Sequence, residues 1–111
     1  MKTGIELIAD ERARQISSEG WTEENDDRYE SGQLIDGAAS YIRAARERAR
    51  GECGAMLCSL AAAGMIPWPW EDHWWKPSED NKRNLVKAGA LIAAELDRIQ
   101  RSENGGGEVA P

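Results

Sequence analysis

Phenylalanine is missing from this chain of 111 residues, tyrosine occurs twice, histidine once and cysteine twice. Without phenylalanine, the five tryptophans become the main aromatic packing material. One histidine and two cysteines do not furnish the paired four-ligand set of a structural zinc site. A short-loop disulfide between Cys53 and Cys58 is open, but a reducing compartment favours two small buried thiols. Long hydrophobic runs are absent too. The longest, Ala55 to Ile66, covers roughly a dozen residues, well short of the ~20 that span a bilayer. No apolar signal core precedes the acids at Glu6, Asp10 and Glu11, which points to the cytoplasm. A basic excess is the last thing lacking. Lys and Arg number 14 against 20 Asp and Glu, a net charge of -6, so no general affinity for DNA or RNA backbones is expected. That balance leaves a basic protein partner, or acids that hold a divalent cation. There is no glycine-rich phosphate loop, no dinucleotide fingerprint and no signal of a nucleophilic triad.

What is present is helical. From Thr3 to Ser18, Ile5, Ile8, Ala9, Ala13 and Ile16 recur at three- and four-residue steps, and Glu6, Asp10, Arg14 and Ser17 fall on another face. Gly20 ends that helix. Thr22 followed by acids predicts a capped helical turn. A second long helix is expected over Gly32 to Arg50, with Leu34, Ile35, Ala38, Ala39, Ile42, Ala45 and Ala49 inward. Cys53 to Gly64 reads as either a short buried helix or a packed hairpin. The last helix has the clearest start signal, Pro77-Ser78-Glu79-Asp80, and runs from Asn81 to Arg101. Leu85, Gly89, Ile92, Leu96 and Ile99 form a seven-residue seam on it, suited to close packing and to oligomerisation. The expected architecture is an all-α bundle of three main helices plus one short helix, with an irregular Trp/Pro-rich connection. Residues 1–101 form the single domain, and 102–111 a disordered glycine-rich tail.

Four of the five tryptophans crowd into that connection, Trp68-Pro69-Trp70-Glu71-Asp72-His73-Trp74-Trp75-Lys76-Pro77. Pro69 and Pro77 exclude a regular helix or central strand, so the rings either close over the core or offer a stacking surface. An indole stacked on a nucleobase contributes about 1–3 kcal/mol. Lys76 and Arg83 are placed to meet phosphate, and His73 to donate a hydrogen or a proton. The candidate ligand-binding residues are therefore Trp21, Trp70, His73, Trp74, Trp75, Lys76 and Arg83. Within the run, Trp68 and Trp70 are read as the packing pair, and Trp74 with Trp75 as the contact with a base or partner. The acids Glu23, Glu24, Asp26 and Asp27 form a second constellation. With Glu95 near the inner face of the last helix, Asp26 and Asp27 are the candidate Mg²⁺ ligands. The plainer reading is that the two Asp cap and solvate a turn, while Glu95 pairs with Arg98 or Lys87.

The runs Glu11-Arg12-Ala13-Arg14-Gln15, Glu19-Gly20-Trp21-Thr22-x-Glu24-x-Asp26-Asp27 and Gly32-Gln33-Leu34 with Ala38-Ala39 and Tyr41 resemble a family of small bacteriophage and prophage proteins. Trp68-Pro69-Trp70…Trp74-Trp75-Lys76-Pro77 and Arg83-x-Leu85-Val86-Lys87-Ala88-Gly89-Ala90-Leu91-Ile92 carry the same resemblance, which covers most of residues 5 to 101. It implies a phage protein acting in the host cytoplasm and no particular reaction. The chain is also similar to the MazG-like all-α nucleotide pyrophosphohydrolases. That similarity implies a helical oligomer that binds Mg²⁺ through carboxylates and cleaves nucleoside triphosphates. Their Glu-Glu-x-x-Glu and Glu-x-x-Asp motifs are not intact here, and Gln33 and Asn25 stand where acids would suit a metal. The expectation is a phage-type nucleotide-binding protein, in one version a Mg²⁺-dependent pyrophosphohydrolase. A non-catalytic version sequesters a nucleotide immune signal. A third reading is an acidic protein that docks on a basic host protein through its tryptophans.

Overall fold

The computed structural model describes residues 1–51 and 54–106, and every regular element among them is helical. In chain order these are α1 (Gly4–Glu19), α2 (Glu23–Asp26), α3 (Gln33–Ala49), α4 (Gly54–Ala62) and α5 (Asn81–Gly106), with a 3₁₀ turn at Asp72–Trp74 before α5.

Local chemistry explains the ends. Thr3 and Glu6 form a reciprocal capping box at the start of α1. Gly20 closes that helix at φ 71, a left-handed position that a side chain resists. The Thr22 hydroxyl accepts from the Asn25 amide and caps α2. At α5 the cap falls on Asp80, whose carboxylate accepts from Lys82 N, while Ser78 caps the turn before it. The fully buried Asn84 ties that turn down, donating to Ser78 O and accepting from Ser78 N.

α3 and α5 form the antiparallel heart of the bundle. Asn81 at the start of α5 donates to Ala45 O near the end of α3, and Gly37 near the start of α3 lies against Leu91 further along α5. The contact rows are Leu34, Ala38, Tyr41 and Ala45 on one helix and Asn84, Ala88, Leu91 and Glu95 on the other. Most of these side chains are small. Leu34, Leu57 and Leu91 are the large aliphatic groups that are fully buried, each contributing about 2 kcal/mol. Rings complete the core: Trp75 and Tyr41 inside it, with Trp68 and Trp70 packed half-buried against it.

Several expectations need correction. The apolar row of α1 faces outward: Ile5, Ala9, Ala13 and Ile16 are exposed, whereas Glu11, Arg12 and Gln15 are buried. The reason is electrostatic. The Glu11 carboxylate is held by Arg14 and by Arg83 from α5, at 2.7 and 2.8 Å, and Arg12 reaches the buried Asp26 of α2 at 2.7 Å. The helix turns toward partners for its charged groups, and of its apolar row only the half-buried Ile8 packs on α5, over Gly89. The seam Leu85, Ile92, Leu96 and Ile99 is exposed as well, because α3 packs one position earlier around α5. Ile35 and Ile42 of α3 are likewise outside. The final helix continues past Arg101 through Ser102 to Gly106, and the remainder of the tail expected to be disordered, 107–111, lies outside the described residues. Cys58 is exposed rather than buried, and Cys53 lies outside the described residues. Of the two readings of the stretch after it, the short helix is the one found, as α4.

Burial acts to raise the Glu11 carboxyl, but the Arg14 and Arg83 guanidiniums outweigh it and hold it below the usual value. A depressed carboxyl contributes stability above its unfolded value, and this is lost as pH falls through the folded one. Glu11→Gln is therefore expected to cost about 1–3 kcal/mol at neutral pH. In urea titrations its deficit against wild type should shrink steadily as the pH is taken below about 4.

Candidate ligand-binding cleft

The proline-interrupted segment after α4 lies across α3, and one contact sets its position. The Trp70 ring sits on Gly37, where a Cβ would come within 2.6 Å of Cζ3. From there the rings run in a chain. Trp68 is 5.1 Å from Trp70 and 5.0 Å from Trp75, and Tyr41 lies 5.0 Å from Trp75. On its other side Trp70 meets Trp21 at 5.8 Å and Tyr29 at 5.4 Å, tilted and edge-on as ring quadrupoles prefer. Two indole N–H groups are satisfied by backbone, Trp68 by Glu71 O and Trp75 by Leu57 O. Trp70 Nε1 is buried and has no hydrogen-bond partner among the described residues.

This chain of rings forms one wall of an open cleft of about 710 Å³, within the size range of small-molecule sites. Trp21, Tyr29, Trp70 and Trp74 supply its aromatic surface, and Glu19, Asn25 and Glu71 its polar groups. Beyond Trp21, Trp74 and Glu19 the same walls bound a smaller hollow of about 220 Å³. It is basic: Arg14, Lys76, Arg83 and Lys87 face it, against Glu11 and Glu19. The cations are differently engaged. Arg83 and Arg14 are bound to Glu11, and Arg14 to Glu19 as well. Lys76 is exposed, 5.9 Å from the centre of the Trp74 ring. Lys87 donates to Lys76 O at 3.0 Å and lies 5.3 Å from the centre of the Tyr41 ring. Burial, with the Arg83 charge beside it, pulls the Lys87 ammonium below the ordinary lysine value. Burial likewise pushes the Tyr41 phenol up to about 12.

The structure therefore gathers Trp21, Trp70 and Trp74 around one cleft and places Lys76 and Arg83 in its basic annex. Two candidates stand apart. Trp75 is a core residue, only 6% exposed, because its indole is spent on Tyr41, Trp68 and the Leu57 carbonyl. The ring that faces out beside Lys76 is Trp74, 46% exposed. Trp70, expected to pack, does so and lines the cleft as well. His73 lies tilted against Trp74, ring centres 4.9 Å apart, and lines neither hollow. Tyr29, Glu71 and Lys87 were not anticipated. Lys87 had a signal, standing one helical turn after Arg83 on the same face. Tyr29 and Glu71 had none, since only tertiary packing brings them to the rings.

The set of Asp26, Asp27 and Glu95 is not assembled. Asp26 is fully buried against Arg12, Asp27 binds Arg101 at 2.7 Å, and Glu95 takes a two-pronged bond from Arg98 at 2.7 and 3.0 Å. Burial outweighs Arg12 and raises the Asp26 carboxyl, the opposite of what a cation ligand needs. Among the described residues no three His, Cys, Asp or Glu side chains meet as a cation site. Each carboxylate was drawn to the nearest guanidinium, and a helical turn keeps Asp26 and Asp27 on different sides of α2. The residues present do not fit Mg²⁺.

No protein-family model, curated protein or solved structure matches this chain. Among the described residues no helix is long and apolar enough to cross a membrane.

The Trp70–Gly37 contact is open to a direct check. Gly37→Ala should displace the ring and cost about 1–3 kcal/mol, as overpacking does. It should also change the near-UV circular dichroism of the tryptophans. An unchanged spectrum and melting temperature would mean that the ring does not rest there.

Proposed function

We propose that the chain binds a nucleotide, with the base held in the aromatic cleft and the phosphates in the basic annex. One observation carries the reading: Trp21, Trp74 and Glu19 are walls common to both hollows, so a base stacked in the cleft would have its phosphates beside Lys76 and Arg83. Stacking on indoles is tolerant of base identity, and the Asn25 amide at the cleft wall supplies a donor for a base edge. Arg83 holds Glu11 through Nη1 and keeps the rest of its guanidinium for a phosphate, whereas Lys76 and Lys87 act as point charges. Binding without hydrolysis follows from the carboxylates, since Asp26, Asp27 and Glu95 are each committed to an arginine. Such a protein acts by withdrawing a nucleotide from solution. In a phage setting the fitting ligand is a nucleotide signal of the host.

A second reading has its own support. The charged groups lining the cleft itself are Glu19 and Glu71, with no cation among them, and carboxylates beside indole faces also suit an arginine or lysine side chain. That arrangement fits docking on a basic protein.

Titration with nucleoside mono- and triphosphates, followed by tryptophan fluorescence, separates the two. The nucleotide reading expects saturable quenching. Trp74→Ala should weaken binding by about 1–3 kcal/mol, and Lys76→Ala should weaken triphosphate more than nucleoside. No phosphate or pyrophosphate should appear on adding Mg²⁺ or Mn²⁺. Quenching by an arginine-rich peptide but by no nucleotide would replace this reading with the second.

A further inference from the structure

The described surface carries a second feature that the cleft does not use, a continuous aliphatic face on the opposite flank of the α3–α5 contact. On α5 the row Lys82, Leu85, Gly89, Ile92, Leu96, Ile99, Glu103 follows the buried contact row by one position throughout. On α3 the row Ile35, Ala39, Ile42, Arg46 follows its own contact row by one position in the same way. One position is a rotation of about 100°. Because the helices are antiparallel, equal rotations bring both rows to the same side of the pair. Ile8 of α1 fills the gap over Gly89.

The six large aliphatic side chains of this face remain 37–57% exposed. Together they form an apolar patch on the order of 500 Å², at the upper end of what a lone soluble chain leaves uncovered. Its charges are ordered. At one end stand Lys82 and Arg46, at the other Glu103, with no charge between them on either row. A surface that is basic at one end, aliphatic in the middle and acidic at the other is complementary to itself when turned end for end.

We infer that this face is the two-fold contact between two copies of the chain, with α5 packed antiparallel on the α5 of the second copy. Ile92 lies next to the axis. Leu85 meets the partner's Ile99, and Lys82 meets the partner's Glu103. Two such patches bury about 1,000 Å², the lower limit of a specific interface, and the closed two-fold arrangement uses the same surface on both copies. The opposite flank is left free, so the cleft at Trp21 and Trp74 stays open in the dimer. This inference is independent of what that cleft binds.

Sedimentation equilibrium of the full chain at micromolar concentration tests it, with helix content checked by circular dichroism. Wild type should have the mass of two chains. Ile92→Glu should have the mass of one at unchanged helicity. Lys82→Glu and Glu103→Lys should each raise the dissociation constant about tenfold, and the double variant should restore it, since each attractive pair becomes a repulsive one and then is rebuilt. A wild type with the mass of one chain overturns the inference and leaves the face to a different protein. So does a dimer indifferent to Ile92→Glu. Failure of the double variant to recover overturns the antiparallel pairing.

Discussion

The seating of Trp70 on Gly37 is the constraint on which the site depends. A bare Cα on α3 lets an indole lie directly on the helix, and that indole fixes the proline-broken segment that carries Trp68, Trp74 and Trp75. The core is otherwise built from alanine, with few large aliphatic groups. Rings therefore do two jobs at once: Trp75 and Tyr41 fill the interior, and the same array, continued through Trp70 to Trp21 and Tyr29, becomes a wall of the cleft. A shortage of packing material and a surplus of tryptophan are one design.

Buried charge supplies the second constraint. α1 is held by ion pairs to α2 and α5, through Arg12 with Asp26 and Glu11 with Arg83, more than by its aliphatic row. Burying charge is expensive and is recovered only through good geometry, so these contacts set the position of α1 more sharply than they add stability. That position brings Glu19 and Trp21, at the end of α1, beside Trp74 and Lys76. The electrostatic pairing of one helix and the aromatic packing of a distant segment thus converge on one hollow.

Much of the fold was legible in the sequence. Gly20, the Thr22 cap and the start signal before Asn81 are local chemistry and read true as element boundaries. Which face of a helix turns inward was less so. Ile5, Ala9 and Ile16 share a stripe that periodicity assigns to the core, yet the preference of Glu11 and Arg12 for partners on other helices decided the orientation. Leu85, Ile92, Leu96 and Ile99 do share one stripe of α5, but α3 packs one position earlier around the helix and leaves that stripe exposed. At the site, the residue types were visible and the arrangement was not. Trp74 and Trp75 are neighbours in sequence, and one residue of backbone rotation at the end of a 3₁₀ turn sends one outward and the other into the core. The acids failed as a metal set for the same reason: sequence shows carboxylates, but it does not show which arginine reaches each first.

The central claim is that a base enters among Trp21, Trp70 and Trp74. The five indole N–H cross-peaks of a ¹⁵N-labelled sample report on it one ring at a time. On addition of a nucleotide the predicted result is large shifts for Trp21, Trp70 and Trp74, whose rings line the cleft. The Trp75 resonance, bonded to Leu57 O in the core, should stay in place. Saturation that leaves Trp70, Trp74 and Trp21 unmoved would contradict it.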